Sequence, residues 1–244
     1  MRNIKVTMSY CGTAYHGFQR QENAVAVQNV LEDKLSELTN APVKVNGCSR
    51  TDTGVHASEY CFSFFTEHPI PCQSLIRGLN SKLPDDIAVH FCEDVPESFH
   101  ARFSCTGKEY RYVILNRSTR DPFLSERAFH YPFTLDDRLI EKSAQDFVGS
   151  HDFSAFCGIS GLKADNVRTI EYFKVQRNAD TVELYVKGDG FLYNMVRIMA
   201  GTLIYINEGR IAPDAIPSIL ASKDRNNAGK TAVACGLYLN RVFY

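Results

Sequence analysis

The first hundred residues switch between two hydrophobic periods, and the order of the switches restricts the fold more than any other feature. Residues 3–10, NIKVTMSY, put Ile4, Val6 and Met8 at every second position, the period of a strand with one buried face. From Val27 the apolar residues fall at Val27, Val30, Leu31, Leu35 and Leu38, which is helical spacing, and Asn40-Ala41-Pro42 ends the run. Residues 43–47 read as a short strand. Residues 58–67 read as another, with Tyr60, Phe62 and Phe64 on one face. Residues 72–83 read as a helix despite Gly78, and 87–95 as a third main strand. The order β-α-β-β-α-β is the ferredoxin-like one.

The order recurs loosely afterwards. The patterns predict a strand at 109–116, a helix at 135–149 and a hairpin at 169–188 turning at Asn178-Ala179-Asp180. A long helix at about 191–208, a shorter one at 213–222 and a closing strand at 235–244 complete the chain. The expected class is α+β: two ferredoxin-like-derived halves, their mostly antiparallel sheets side by side, helices packed on one face. A cleft between the halves is the expected place for a site. The expected division is 1–104, carrying the loop around Asp52, and 105–244, carrying Tyr110 and Arg197.

Composition narrows the function classes. Hydrophobic residues are 44% and charged residues 23% of the 244, which suits a folded soluble protein and not a disordered one. The formal net charge of -1 argues mildly against a nucleic-acid partner unless basic residues gather locally. The eight cysteines are spread singly, with no CxxC or CxxH pair and no secretory leader, so reduced cytosolic thiols are expected. The longest apolar-rich run, 191–206, is broken by Asn194 and Arg197 and is too short to span a membrane. No metal site is expected, and the expected location is cytoplasmic.

Three stretches hold candidate chemistry. The first is GCSRTDTGVHA, 47–57, where Asp52 is either a turn cap or a reactive carboxylate; the pattern alone favours the cap. His56 in the same loop reads as a structural hydrogen-bonding residue. The second is Arg197, in a helix that is apolar on nearly all sides. A buried guanidinium needs a carboxylate, yet the nearest in sequence, Asp189 and Glu208, are eight and eleven residues away. The alternative is that Arg197 snorkels to solvent. The third is HARFSCTGKEYRY, 100–112, which interleaves Arg102, Lys108 and Arg111 with Phe103, Tyr110 and Tyr112. Such a mixture suits phosphates and stacked bases, and equally a strand with one aromatic and one solvated face.

Taken together, these stretches resemble the TruA-type tRNA pseudouridine synthase family. YCGTAYHGFQRQ, SRTDTGVHA, FHARFSCTGKEYRY, FLYNMVRIMAG and GLYLNRVFY match five family motifs in order, from the first strand to the last residue. Cys11 stands where an acidic residue is usual, and Ser49 and Thr53 replace the usual small Gly and Ala. The resemblance implies an enzyme that isomerises uridine to pseudouridine in the tRNA anticodon stem-loop, at positions 38 to 40, without a cofactor and as a homodimer. It implies Asp52 as nucleophile or base and Arg197 as its partner. Arg50 would hold the backbone near the target nucleotide or occupy the stack after the base leaves, and Tyr110 would stack on the flipped uracil. Arg20, Arg77, Lys82, Arg102, Lys108 and Arg111, with Arg117 and Arg120, are the expected RNA-binding strip. Three alternatives stand beside this: a non-catalytic RNA-binding or RNA-folding protein on the same scaffold, a synthase with a shifted RNA substrate, and a small-molecule enzyme or protein-interaction module on a ferredoxin-like fold.

Overall fold

In the computed structural model, which describes residues 1–244, strand β1 (Arg2–Tyr10) alternates as its sequence does. Ile4, Val6, Met8 and Tyr10 are buried, while Lys5, Thr7 and Ser9 are half-buried on the other face. β1 lies between β3 (His56–Thr66) and β4 (Ile87–Val95), antiparallel to both. The short β2 (Asn46–Gly47) pairs with the far edge of β3. The resulting order, β4-β1-β3-β2, with helices α1 (Val27–Thr39) and α2 (Cys72–Asn80) between the strands, is the ferredoxin-like arrangement. Tyr60, Phe62 and Phe64 are fully buried, as are Leu31 and Leu35 of α1 and Leu75 and Leu79 of α2. α1 ends at Thr39, and its cap Asn40 is left-handed at φ 51°, a conformation asparagine tolerates. α2 ends at Asn80, short of the expected 83, in a turn closed by Leu83 N donating to Leu79 O.

The chain divides into two compact units, Met1–Thr106 with Tyr238–Tyr244, and Gly107–Leu237. The second unit contains β5 (Gly107–Leu115), β6 (Phe129–His130), α3 (Asp137–Ala144), β7 (Gly149–Asp152), β8 (Val167–Asn178) and β9 (Thr181–Gly188), followed by α4 (Met195–Asn207) and α5 (Ile216–Ser222). Its sheet runs β5-β9-β8-β7, antiparallel throughout, with β6 parallel on β5. Tyr112, Phe173, Leu184 and Val186 are buried with most of α4. The hairpin turns where expected, with Ala179 at φ 52°.

Several boundaries differ from the pattern, each for a local reason. The helix expected over 135–149 ends at Ala144 and tightens into a 3-10 turn over Gln145–Phe147. Gly149, at φ 110°, then starts β7, a strand that was not expected. The helix expected from 191 begins only at Met195, because Asn194 is left-handed. The closing strand, β10 (Leu237–Phe243), was expected to belong to the second half. Tyr238 and Leu239 instead pair in parallel with His56 and Ala57 of β3, and Tyr244 Oη donates to Ala101 O at 2.7 Å. All eight cysteines are free thiols, and no helix is long and apolar enough to cross a membrane.

Candidate active site

The loop that carries Asp52 is locked to the loop that follows β1. Phe18 N donates to Thr51 O (3.3 Å), Gly54 N to Tyr15 O (3.3 Å) and Gly12 N to His56 Nδ1 (3.0 Å). The approach is close enough to require glycine. A Cβ on Gly12 would lie 2.0 Å from Val55 O, and one on Gly17 would lie 2.3 Å from Thr51 O, with Gly17 also at φ 80°. The glycine-rich motif at 10–21 and the aspartate motif at 49–57 are therefore two sides of one rigid structure.

Side chains complete the bracing. Tyr10 Oη and Thr51 Oγ1 share a buried hydrogen bond of 2.8 Å. Tyr60 Oη donates to Ser49 O, and its ring stacks on Phe18 at 4.2 Å. His56 is buried and stacks on Tyr238 at 4.6 Å. Its Nδ1 accepts from Gly12 N, so that ring nitrogen carries no proton and His56 ties the two loops together. Between these anchors Arg50 is exposed and Asp52 half-buried.

In the second unit, Tyr110 sits on β5, only 7% exposed, with its ring edge-on to Phe191 at 4.9 Å. Arg197 lies in the first turn of α4. Its Nε donates to Ala232 O and its Nη1 to Asn194 Oδ1, both at 2.8 Å. Ala232 N in turn donates to Arg197 O at 3.0 Å. Arg197 is half-buried, and its guanidinium is held on two sides. Tyr112 Oη ties the neighbouring Val233 O to β5 at 2.9 Å, and burial pushes that phenol well above its ordinary pKa.

The expected basic strip proves mixed. Arg20 pairs with Glu32 at 2.8 Å, and Glu32 is buried, also accepting from Gln28 Nε2 and Val45 N. Arg20 is thus a brace between its loop and α1. Lys82 pairs with Glu37 (3.2 Å), and Arg111 pairs with Glu183 (3.3 Å) beside Tyr185. Arg117 meets Asp121 and Asp180. Arg77 and Arg102 are exposed, Arg102 over the ring of Phe103, while Lys108 is half-buried on β5. No group of three or more His, Cys, Asp or Glu is arranged to hold a metal ion.

Comparison with known proteins identifies the pattern. The family described as tRNA pseudouridine synthase matches residues 6–104 and 143–244. The chain belongs to the tRNA pseudouridine synthase family. A protein of Thermoanaerobacter sp. named tRNA pseudouridine synthase A is 44% identical over 244 residues, covering 100% of both chains. One of Ruminiclostridium cellulolyticum with the same name is 45% identical over 245 residues, again covering both chains completely. A third, from Exiguobacterium sibiricum, is 44% identical over 245 residues, covering 100% of this chain and 97% of that one.

Within this pseudouridine synthase, several residues that brace the candidate side chains of each unit are hard to read from the sequence. Tyr10 and Tyr60 looked like ordinary strand aromatics, and only the structure joins them to Thr51 and Ser49. Asn194 carried one legible signal: an amide side chain three residues before the arginine of an apolar helix, one turn away on the same helical face. Ala232 acts through its backbone carbonyl, which no side-chain pattern reports.

Proposed function

We propose that this tRNA pseudouridine synthase acts on uridines at positions 38 to 40 of the anticodon stem-loop, with Asp52 as the reactive carboxylate. The reaction breaks the N1–C1′ bond, turns the uracil and joins C5 to C1′. C5 gives up its proton and N1 takes one, so the product is an isomer and the chemistry needs no redox partner. The observation that carries this reading is the Asp52 loop. Its neighbours Ser49, Thr51, Gly54 and His56 are pinned by hydrogen bonds, as a nucleophile or base that must be held still requires.

The other roles follow from chemistry. Arg197 is the proposed counter-ion of Asp52, keeping it ionised and oriented. Tyr110 offers a ring for the flipped uracil and a hydroxyl for the departing C5 proton. Arg50, exposed beside Asp52, suits a contact to the backbone of the target nucleotide. Arg77, Arg102 and Lys108 are the proposed phosphate contacts. With a net charge of -1, a single copy offers little basic surface, which favours a homodimer in which two copies share one tRNA. The proposed location is the cytoplasm, with the tRNA.

Mapping pseudouridine by carbodiimide adducts and primer extension on treated tRNA transcripts tests the substrate assignment. Stops at positions 38 to 40 are expected; modification confined to another stem or loop would contradict it. Light scattering should give twice the 27.5 kDa chain mass, and a monomer that turns over normally would remove the dimer from the account.

A further inference from the structure

Arg197 can orient a carboxylate only as well as its own guanidinium is fixed. Asn194, three residues earlier at the N-terminal boundary of α4, is built unusually for that position. Its backbone is left-handed, φ 61° and ψ 6°, a conformation that costs most side chains and that asparagine tolerates. Asparagine at a helix start normally turns its side-chain oxygen onto the first N–H groups of the helix. Asn194 makes no such cap bond. Its Oδ1 accepts from Arg197 Nη1 instead, at 2.8 Å.

The helix start thus gives up its cap and places the amide oxygen on a guanidinium. Ala232 O takes Nε on the adjacent edge, and two acceptors on two edges of a planar fork fix both its plane and its rotation. A neighbouring loop backs the arrangement. Gly158 N donates to Tyr193 O at 2.9 Å, and a Cβ on Gly158 would lie 3.3 Å from Asn194 Nδ2.

We propose that Asn194 is a positioning residue for pseudouridine formation, acting through the guanidinium of Arg197. The inference rests on the reading of Arg197 as the counter-ion of Asp52. Asn194→Gly keeps the left-handed backbone at no steric cost and removes the acceptor. Asn194→Asp keeps both the backbone tolerance and an acceptor oxygen. Asn194→Ser, too short to reach, is a second deletion should the glycine variant not fold.

Release of tritium from C5-labelled uridine in tRNA is followed as a function of tRNA concentration. For Asn194→Gly, kcat is expected to fall about 10- to 100-fold while KM stays within about 2-fold, the split for loss of orientation rather than of binding. Asn194→Asp should recover kcat to within about 3-fold of wild type. In an Arg197→Lys background, Asn194→Gly should cost almost nothing more, because the group it acts through has gone. A wild-type kcat in both deletions, or an Asn194→Asp as slow as Asn194→Gly, overturns the proposal. Asp52→Ala is run alongside: release equal to wild type would overturn the active-site reading itself. That result is distinct from a silent Asp52→Ala beside a fully active Asn194→Gly, which removes only the role of Asn194.

Discussion

The side chain of Thr51, the residue next to the proposed nucleophile, shares a buried hydrogen bond with Tyr10 Oη. Tyr10→Phe deletes one oxygen and leaves the ring in place. The expected cost is about 1 to 2 kcal/mol of stability, with a drop in kcat larger than any change in KM. Thr51→Ser should behave as wild type and Thr51→Val as Tyr10→Phe. A double-mutant cycle in which the two losses simply add would contradict this coupling. Arg20 and Arg77 separate in the same way. Arg20→Ala strands the buried Glu32 and should lower the thermal midpoint clearly, while Arg77→Ala should leave it almost unchanged. In tRNA binding, Arg77→Ala should reduce the slope of log affinity against log salt by about one, and an unchanged slope would remove it from the phosphate contacts. At this scale the sequence named Asp52, Tyr110, Arg50 and Arg197 because motifs carry side-chain identity. It missed that Arg20, Lys82 and Arg111 face carboxylates, because the partners Glu32, Glu37 and Glu183 lie 12, 45 and 72 residues away.

Between elements, the decisive feature is the interlock of the 12–18 and 51–56 segments. Gly17→Ala meets two penalties at once, the left-handed φ of 80° and a carbonyl 2.3 Å from the new Cβ. It should cost more than about 2 kcal/mol by denaturant midpoint and reduce turnover with it. A wild-type midpoint would mean that the two loops are not rigidly joined. β1 and β9 were legible because burial alternates along their own sequence, and α1 because its buried residues recur at helical spacing. β6 has two residues and β7 four, too few for a period to emerge. The place of β10 was illegible for another reason. Its partner β3 lies about 180 residues earlier, and strand pairing at that separation is decided by tertiary packing, not by local pattern.

For the whole molecule, buried acidic groups set the alkaline limit of stability. Burial pushes the Cys61 thiol up to about 11, and burial likewise raises the Cys92 thiol and the Tyr15, Tyr112 and Tyr244 phenols. A folded-state pKa above the unfolded one favours the fold at lower pH, and that contribution is lost as the pH rises through the folded value. The thermal midpoint should therefore be level through neutrality and fall above about pH 9. A level midpoint to about pH 11 would contradict the burial of these groups. On the acid side, Arg2 holds the Asp94 carboxyl low, and Lys34 with Lys82 holds Glu37 low. Their contribution is present above the ordinary carboxylate range and is lost as the pH falls through the depressed values. Both groups are exposed, so the acid limb should be shallow.

Asp52 is the proposed driver of the re-attachment of uracil through C5. The most direct test is tritium release from tRNA labelled at C5 of uridine, with wild type, Asp52→Asn and Asp52→Ala compared under single turnover. C5 loses its hydrogen only if the base is rejoined there. Release by wild type and none by either variant is expected, with tRNA binding retained by all three. Release by Asp52→Ala at the wild-type rate would contradict it.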